Sequence, residues 1–215
     1  MWGACRSFHV RTLSMAMSVF MEASASTSQT LLQRVQQHQP AAWERFSQLY
    51  GPLVYRWCAT AGLQPQDAAD VMQEVFQAVF LGISRFQSQS AGQSLRGWLW
   101  TITRNKTSDH FRRRQKEPRA AGGSVGQNLL DRVQQLPETD GEPLEAIVGE
   151  LSHRALTLIQ SDFEATTWQA FWAIAVEGLS PADAAARVGV TTAAAYKAKS
   201  RVLNRLRHEL DGLLE

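Results

Sequence analysis

The chain has 215 residues and a mass of 24.0 kDa, which suffices for one ordinary domain or two small ones and excludes a large enzyme barrel. Hydrophobic residues make up 44% of it and charged residues 20%, so it can bury a core and is not disordered throughout. Two cysteines and five scattered histidines provide neither a disulfide framework nor a metal-ligand spacing. We therefore expect a reducing, cytoplasmic setting, with no metal and no cofactor.

The net charge of +2 hides an uneven distribution. Residues 104–119 hold seven basic and two acidic residues, and residues 187–208 hold six Lys or Arg and no acid. The rest of the chain is therefore acidic. Two separate basic segments predict two local contacts with a polyanion rather than a uniformly basic surface.

Residues 1–29 superficially resemble a signal peptide, because Arg6 and Arg11 precede an apolar run from residue 13 to residue 21. Ser14 and Ser18 interrupt that run, and it is far shorter than the roughly 20 residues of a membrane span. We expect a disordered extension with no membrane segment. Translation starting at a later methionine is the alternative.

Helical periodicity begins at Thr30 and continues with almost no alternating pattern, which predicts an all-α fold. A first domain, residues 30–114, is predicted to hold helices at 30–37, 40–50, 53–61, 67–81 and 94–114. Residues 115–141 lose the periodicity and are rich in Gly and Pro, which is typical of a flexible linker. A second domain, residues 142–215, is predicted to hold four helices, at 143–159, 162–177, 181–188 and 192–211.

The segment from Ser180 to Thr191 has the pattern of a helix-turn-helix. Ser180 is a good N-cap, Pro181 suits the first helical position, and Asp183 completes a capping pattern. Gly189 permits the positive φ of a tight turn, after which a second cap opens the next helix. In this motif the second helix enters the major groove of DNA.

The helix after that turn is the candidate recognition helix. Its apolar positions form one stripe, which leaves polar and basic side chains on the opposite face to contact phosphates and base edges. A merely solvated basic helix is the plainer interpretation, but the caps, the glycine turn and the absence of acids occur together and favour DNA binding. The candidate DNA-binding residues are Thr191, Thr192, Tyr196, Lys197, Lys199, Ser200, Arg201 and Arg205.

An acidic face is predicted on the helix that begins near Asp67. Asp67, Asp70, Glu74 and Gln77 share one side at spacings of three and four, opposite an apolar stripe. No histidine or fourth acid is placed to complete a metal site, so the face is expected to meet a protein partner or solvent.

The helix of residues 95–114 mixes tryptophans with a rising density of basic residues. Leu95, Trp98, Leu99 and Ile102 suit a core, although the assignment of Trp98 is evenly balanced. The predicted outer face carries an aromatic ring among cations, a combination that binds unstacked bases of single-stranded DNA. Arg96, Trp100, Thr103 and Thr107 are predicted on this face, beside Arg104, Asn105 and Lys106.

Together these motifs resemble those of bacterial RNA polymerase sigma factors of the extracytoplasmic-function (ECF) type. The stretches at 67–76 and 95–105 resemble conserved region 2, and those at 180–190 and 198–207 resemble region 4, in the family's order. The resemblance implies partners, namely the polymerase core and promoter DNA, and no catalytic residue.

The resemblance also implies residue roles. Asp67, Asp70, Gln73 and Glu74 would bind the polymerase core, and we add the neighbouring Gln77. Residues 96–113, including Arg112 and Arg113, would read and melt the −10 element, and the second domain would read the −35 element. The free chain is expected to be a monomer, and an anti-sigma factor is a further candidate partner.

Two other functions remain open at this point. A stand-alone helix-turn-helix transcriptional regulator would bind palindromic DNA tightly without polymerase. An all-helical metalloenzyme would use Asp67, Asp70 and Glu74, and only the carboxylate spacing favours it.

Overall fold

The computed structural model describes residues 30–87, 94–116 and 143–213, and every regular element in these ranges is helical. This confirms the all-α prediction. The predicted extension, residues 1–29, and nearly all of the predicted linker lie outside the described residues. The described helices are α1 (Leu31–Gln36), α2 (Pro40–Thr60), α3 (Pro65–Gly82), α4 (Leu95–Lys116), α5 (Leu144–Ile159), α6 (Ala165–Ala175), α7 (Pro181–Val188) and α8 (Thr192–Leu210). Short 3₁₀ turns at Ile83–Arg85 and Gln160–Asp162 follow α3 and α5.

The described residues form two compact units. The first contains residues 32–87, 94–116 and 212–213, and the second contains residues 30–31 and 143–211. In the first unit α2, α3 and α4 pack against one another, and in the second α8 packs against α5, α6 and α7.

Helix α2 corrects the predicted break between residues 50 and 53. It runs without interruption from Pro40 to Thr60 with Pro52 inside it. Proline has no N–H to donate to the carbonyl four residues earlier, which is why a helix usually ends near it. Here Leu49, Tyr50, Leu53 and Val54 are all buried around Pro52, so packing on both sides compensates for the missing hydrogen bond.

The core of the first unit lies between α2 and one stripe of α3. Val71, Val75 and Val79 of the predicted apolar stripe are fully buried, together with Ala68, whereas Phe80 at the end of that stripe is 40% exposed. Because that stripe faces inward, the polar positions of α3 face outward and are available for other contacts.

The second unit contains the predicted helix-turn-helix in α7 and α8. Small side chains let its helices approach closely, and Ala184, Ala185, Ala195 and Ala198 share one buried cluster with residues of α6. Gly189 ends α7 in the left-handed region with φ 77° and ψ 31°, the conformation for which glycine was expected there.

Side-chain caps fix the start of both helices of the motif. The Ser180 Oγ accepts the Asp183 N–H at 3.2 Å, and the Thr191 Oγ1 accepts the Ala194 N–H at 3.1 Å. The Ser180 hydroxyl also donates to the Asp183 carboxylate at 2.6 Å. These hydrogen bonds fix the residues at which α7 and α8 begin.

Of the helices in the described part of the chain, none has both the length and the hydropathy that crossing a bilayer requires.

Candidate functional site

The predicted acidic face is present on α3. Asp70, Gln73 and Gln77 are exposed, while Asp67 and Glu74 are half-buried where α4 passes over α3. The five side chains therefore differ in accessibility, and the three exposed ones form the open part of the face.

Two ion pairs connect this face to the end of α4. The Arg113 guanidinium lies 2.7 Å from a Glu74 carboxylate oxygen, and the Arg114 guanidinium lies 2.7 Å from an Asp67 oxygen. The His110 ring is 3.8 Å from the same Asp67 oxygen. Residues that the sequence assigned to different partners thus contact each other.

These pairs bear on the metalloenzyme hypothesis. Within the described ranges, no group of three or more His, Cys, Asp and Glu side chains is arranged to hold a metal ion. Asp67 and Glu74 instead face guanidinium groups, whose positive charge opposes cation binding at the same oxygens. The described part of α3 therefore fits a charged contact surface better than a metal centre.

Most of the basic residues predicted on α4 reach the surface. Asn105, Arg112 and Arg113 are exposed, and Arg96, Arg104 and Lys106 are half-buried. Arg112 contacts Asp109 of its own helix at 3.5 Å, a weak surface pair. These residues lie at several angles around the axis of α4 rather than along one side, and we call them together the basic band of α4.

The predicted outer face of α4 is wrong at three positions, because Trp100, Thr103 and Thr107 are all buried. Trp100 is only 4% exposed and packs edge-on against Trp57 at a centroid distance of 5.3 Å. Thr103 is buried as well, and its hydroxyl donates to the Leu99 carbonyl at 2.8 Å. A threonine can be buried in this way because its own helix satisfies its hydroxyl, so the buried face includes polar positions that a purely apolar pattern misses.

Trp98, whose assignment from sequence was evenly balanced, is the more exposed of the two tryptophans of α4. Trp98 is only half-buried, although it contacts Phe86 with ring centroids 5.2 Å apart. A Cβ added at Gly82 would lie 3.0 Å from the Trp98 ring, so the glycine provides space for this indole. Part of the Trp98 ring, rather than that of Trp100, is therefore accessible at the surface.

The recognition helix α8 presents most of its predicted residues. Ala195 and Ala198 face the core, and Tyr196 on the outer face is 59% exposed. Lys199 is half-buried between the two faces. The other exposed candidates are Thr191, Thr192, Lys197, Ser200 and Arg201.

Arg205 is the exception on α8, because it is half-buried and ion-paired rather than open, and its predicted role as a DNA contact stays a prediction. Its Nε donates to Asp162 at 3.0 Å, and its Nη1 donates to Glu209 at 2.5 Å. Glu209 is completely buried, and a buried carboxylate requires a compensating cation. Arg205 therefore joins α8 to the turn after α5.

Sequence reasoning missed two contributors to these surfaces. Asn204 is exposed one turn beyond Ser200, on the same side of α8 as Lys197, and the spacing of four and seven residues could have revealed it. Its side-chain oxygen accepts a hydrogen bond from Arg207 at 3.0 Å. The pairing of Arg114 with Asp67 spans 47 residues, and no local pattern could have revealed it.

Comparisons with known proteins agree on one family. Residues 46–117 match the Sigma-70 region 2 family model. The chain is 32% identical over 150 residues, 68% of this chain and 71% of the relative, to the ECF RNA polymerase sigma factor EcfG of Rhodopseudomonas palustris strain TIE-1. It is 31% identical over 147 residues, 66% of this chain and 70% of the relative, to the ECF RNA polymerase sigma factor SigF of Caulobacter vibrioides strain NA1000 / CB15N.

Proposed function

Because this chain belongs to the ECF family of RNA polymerase sigma factors, we propose that it directs the polymerase core to specific promoters and starts transcription there. In this proposal residues 30–114 act as region 2 and residues 142–215 act as region 4. Residues 115–141 connect the two.

The open part of the acidic face on α3 is the proposed site for the polymerase core. Asp70, Gln73 and Gln77 are exposed on one side of a helix whose other side is buried, so they can contact a partner without disturbing the core. Asp67 and Glu74 extend this surface toward α4. A basic partner surface would complement the charge of these residues.

The basic band of α4 is the proposed site for the −10 element. Strand separation costs free energy, which the protein can offset by holding unpaired bases while cationic side chains fix the phosphates. The burial of Trp100 and Thr103 removes them from the proposed contact set for this conformation. The remaining contacts are Arg96, Arg104, Asn105, Lys106, Arg112 and Arg113.

The outer face of α8 is the proposed site for the −35 element. Thr192, Tyr196, Lys197 and Ser200 lie in the N-terminal half of the helix, the part that reaches base edges in helix-turn-helix proteins. Arg201, one turn after Lys197, is placed to neutralise a phosphate.

This mechanism requires no covalent chemistry from the chain, so we propose a specificity subunit rather than an enzyme. Two DNA-reading modules on a connector bind well only when both are held at the correct spacing, and the core would impose that spacing. The free chain should therefore bind promoter DNA weakly. We further propose that it is monomeric when free, acts in the cytoplasm with the polymerase, and is open to control by an anti-sigma factor.

One observation carries the proposal: helices of the Sigma-70 region 2 match and a helix-turn-helix with an open outer face occur in one chain, in that order. The decisive experiment is run-off transcription with purified chain, core polymerase and genomic fragments. We expect a discrete start site that core alone does not produce. Tight binding to palindromic DNA without polymerase, with no discrete start, would instead indicate a stand-alone regulator.

Two variants separate the proposed contacts. Asp70→Lys should weaken binding to core, whereas Glu44→Lys, an equal charge reversal on the exposed side of α2, should have a much smaller effect. Arg201→Ala should weaken binding to the −35 element and lower the salt slope by about 0.9, the value for one lost phosphate contact. Core affinity that is unchanged by Asp70→Lys would contradict the assignment of α3.

A further inference from the structure

One of the two ion pairs between α3 and α4, Glu74–Arg113, joins residues to which the proposed function gives different partners. Glu74 and Asp67 belong to the surface proposed for the polymerase core, and Arg113 belongs to the surface proposed for DNA. Arg114 follows Arg113 directly. Glu74–Arg113 therefore neutralises one residue of each surface. Asp67–Arg114 neutralises one residue of the core-binding surface and one residue next to the DNA-binding surface.

The two ion pairs can form only in the folded chain. The pairs join residues 39 and 47 positions apart in sequence, so they form only when α4 packs across α3. Asp67 and Glu74 are separated by about two helical turns, and the two adjacent arginines diverge to reach both. His110 approaches Asp67 from the same side of α4 as Arg114.

The exposure of the four side chains indicates that a charged group of a binding partner can replace either member of each pair. The arginine side chains are 58% and 56% exposed, and those of Glu74 and Asp67 are 32% and 26% exposed. Ion pairs that water can reach contribute little to stability and are screened by salt. An incoming cationic or anionic partner can therefore replace either half of a pair at low cost.

We propose that Asp67–Arg114 and Glu74–Arg113 form an intramolecular clasp that couples core binding to DNA binding. This inference rests on the proposed function. In the free chain the clasp pairs two acids of the proposed core-binding surface with two arginines at the end of α4. Neither the acids nor the arginines are then fully available to a partner. When the core engages α3, Arg113 and Arg114 are released toward promoter DNA, and by thermodynamic reciprocity DNA bound at α4 favours core binding at α3.

The first test measures binding of the full chain to core polymerase without DNA. Arg113→Ala/Arg114→Ala opens the clasp by changing only α4, which is not part of the proposed core-binding surface. The affinity for core should rise by about 2- to 30-fold, the range expected for the loss of two exposed ion pairs. The gain should vanish near 1 M salt, where screening is nearly complete. Arg113→Lys/Arg114→Lys keeps both charges and should behave like the native chain.

The second test measures binding of the free chain to single-stranded −10 DNA of the non-template strand. Glu74→Gln should release Arg113 and strengthen binding by about 1.5- to 5-fold. The matched controls are Glu44→Gln, the same change on the exposed side of α2, and Arg85→Ala, an arginine loss at an exposed position outside α4. Circular dichroism verifies that every variant keeps its helices.

The outcomes distinguish the clasp from the proposed function. If the native chain binds no core at all, the proposed function fails and the clasp fails with it. If the native chain binds core and directs transcription, but Arg113→Ala/Arg114→Ala binds core no more tightly than Arg85→Ala, the clasp alone is wrong. If Glu74→Gln and Glu44→Gln strengthen DNA binding equally, the gain comes only from the change in net charge, and the clasp is wrong.

Discussion

Arg205 is the position at which the sequence and the structure predict different experimental results. The sequence places it among the DNA contacts, whereas the structure pairs it with Asp162 and with the fully buried Glu209. Removing one partner of a buried ion pair costs about 3–5 kcal/mol when nothing else compensates the charge that stays buried. Since Arg205 is itself 27% exposed and Glu209 makes a further interaction, Arg205→Ala should cost about 3 kcal/mol, the lower end of that range.

Hydrogen exchange of the α8 amides in the full chain measures this loss directly, because local opening reports the stability of the second unit. A loss of about 3 kcal/mol speeds exchange by about two orders of magnitude. Arg201→Ala is the matched control, since Arg201 is exposed one turn earlier and should change stability by less than about 0.5 kcal/mol. In the Arg205→Ala chain, Glu209→Gln should recover part of the loss, because a neutral amide is easier to bury than a carboxylate.

One result would show that Arg205 contacts DNA rather than stabilising the second unit. If Arg205→Ala leaves exchange at the level of Arg201→Ala but lowers the salt slope of −35 DNA binding by about 0.9, Arg205 is a phosphate contact and the buried pair is dispensable.

Three further predictions concern Trp100, Gly189 and Cys58. Trp100→Ala should cost about 3–5 kcal/mol in urea unfolding, because it empties a core position beside Trp57. Leu81→Ala, at a position 74% exposed, should cost under about 0.5 kcal/mol, and equal losses for the two variants would contradict the burial of Trp100. Gly189→Ala should lower the free energy of unfolding, measured by heat or urea, by about 1–2 kcal/mol, because alanine disfavours the left-handed backbone. A Cβ at this position would meet no atom within 4 Å, so no steric clash adds to that cost. Gly189→Asn should cost less, because asparagine tolerates this conformation better. A neutral Gly189→Ala would be inconsistent with that turn. Burial raises the pKa of Cys58 from 9.0 to about 11, so above pH 9 the unfolded thiol ionises while the folded thiol stays neutral. The stability from this group is thus complete below pH 9 and declines as the pH rises to about 11. Urea midpoints of the native chain should fall relative to Cys58→Ala over that interval, and a constant difference would argue against it.

The helix-turn-helix shows how far local sequence can predict structure. Ser180, Gly189 and Thr191 occupy the cap and turn positions predicted for them, with the expected hydrogen bonds and positive φ. Caps and left-handed turns depend on residues within four positions of one another, so the sequence contains all the information they need.

Helix boundaries at Pro52 and side-chain orientation on α4 depended on distant residues instead. The proline was expected to end a helix, but burial on both sides of it keeps α2 continuous. Trp100 was expected at the surface, but Trp57 of another helix packs against it. A periodicity argument cannot locate the inner face of α4 when that face includes a threonine, Thr103, whose hydroxyl bonds to its own helix.

The sequence by itself determined the all-helical class, the helix-turn-helix, the acidic side of α3 and the basic character of α4 and α8, because each follows from residues close together along the chain. Only the tertiary structure decided which charges remain open. It paired Glu74 with Arg113, Asp67 with Arg114 and Arg205 with Glu209 and Asp162. Except for Arg205–Glu209, these pairs join different elements, and even that pair owes its strength to the complete burial of Glu209 by the surrounding fold. The electrostatic surface of this protein is therefore a property of helix packing, which brings opposite charges from distant positions within hydrogen-bonding distance.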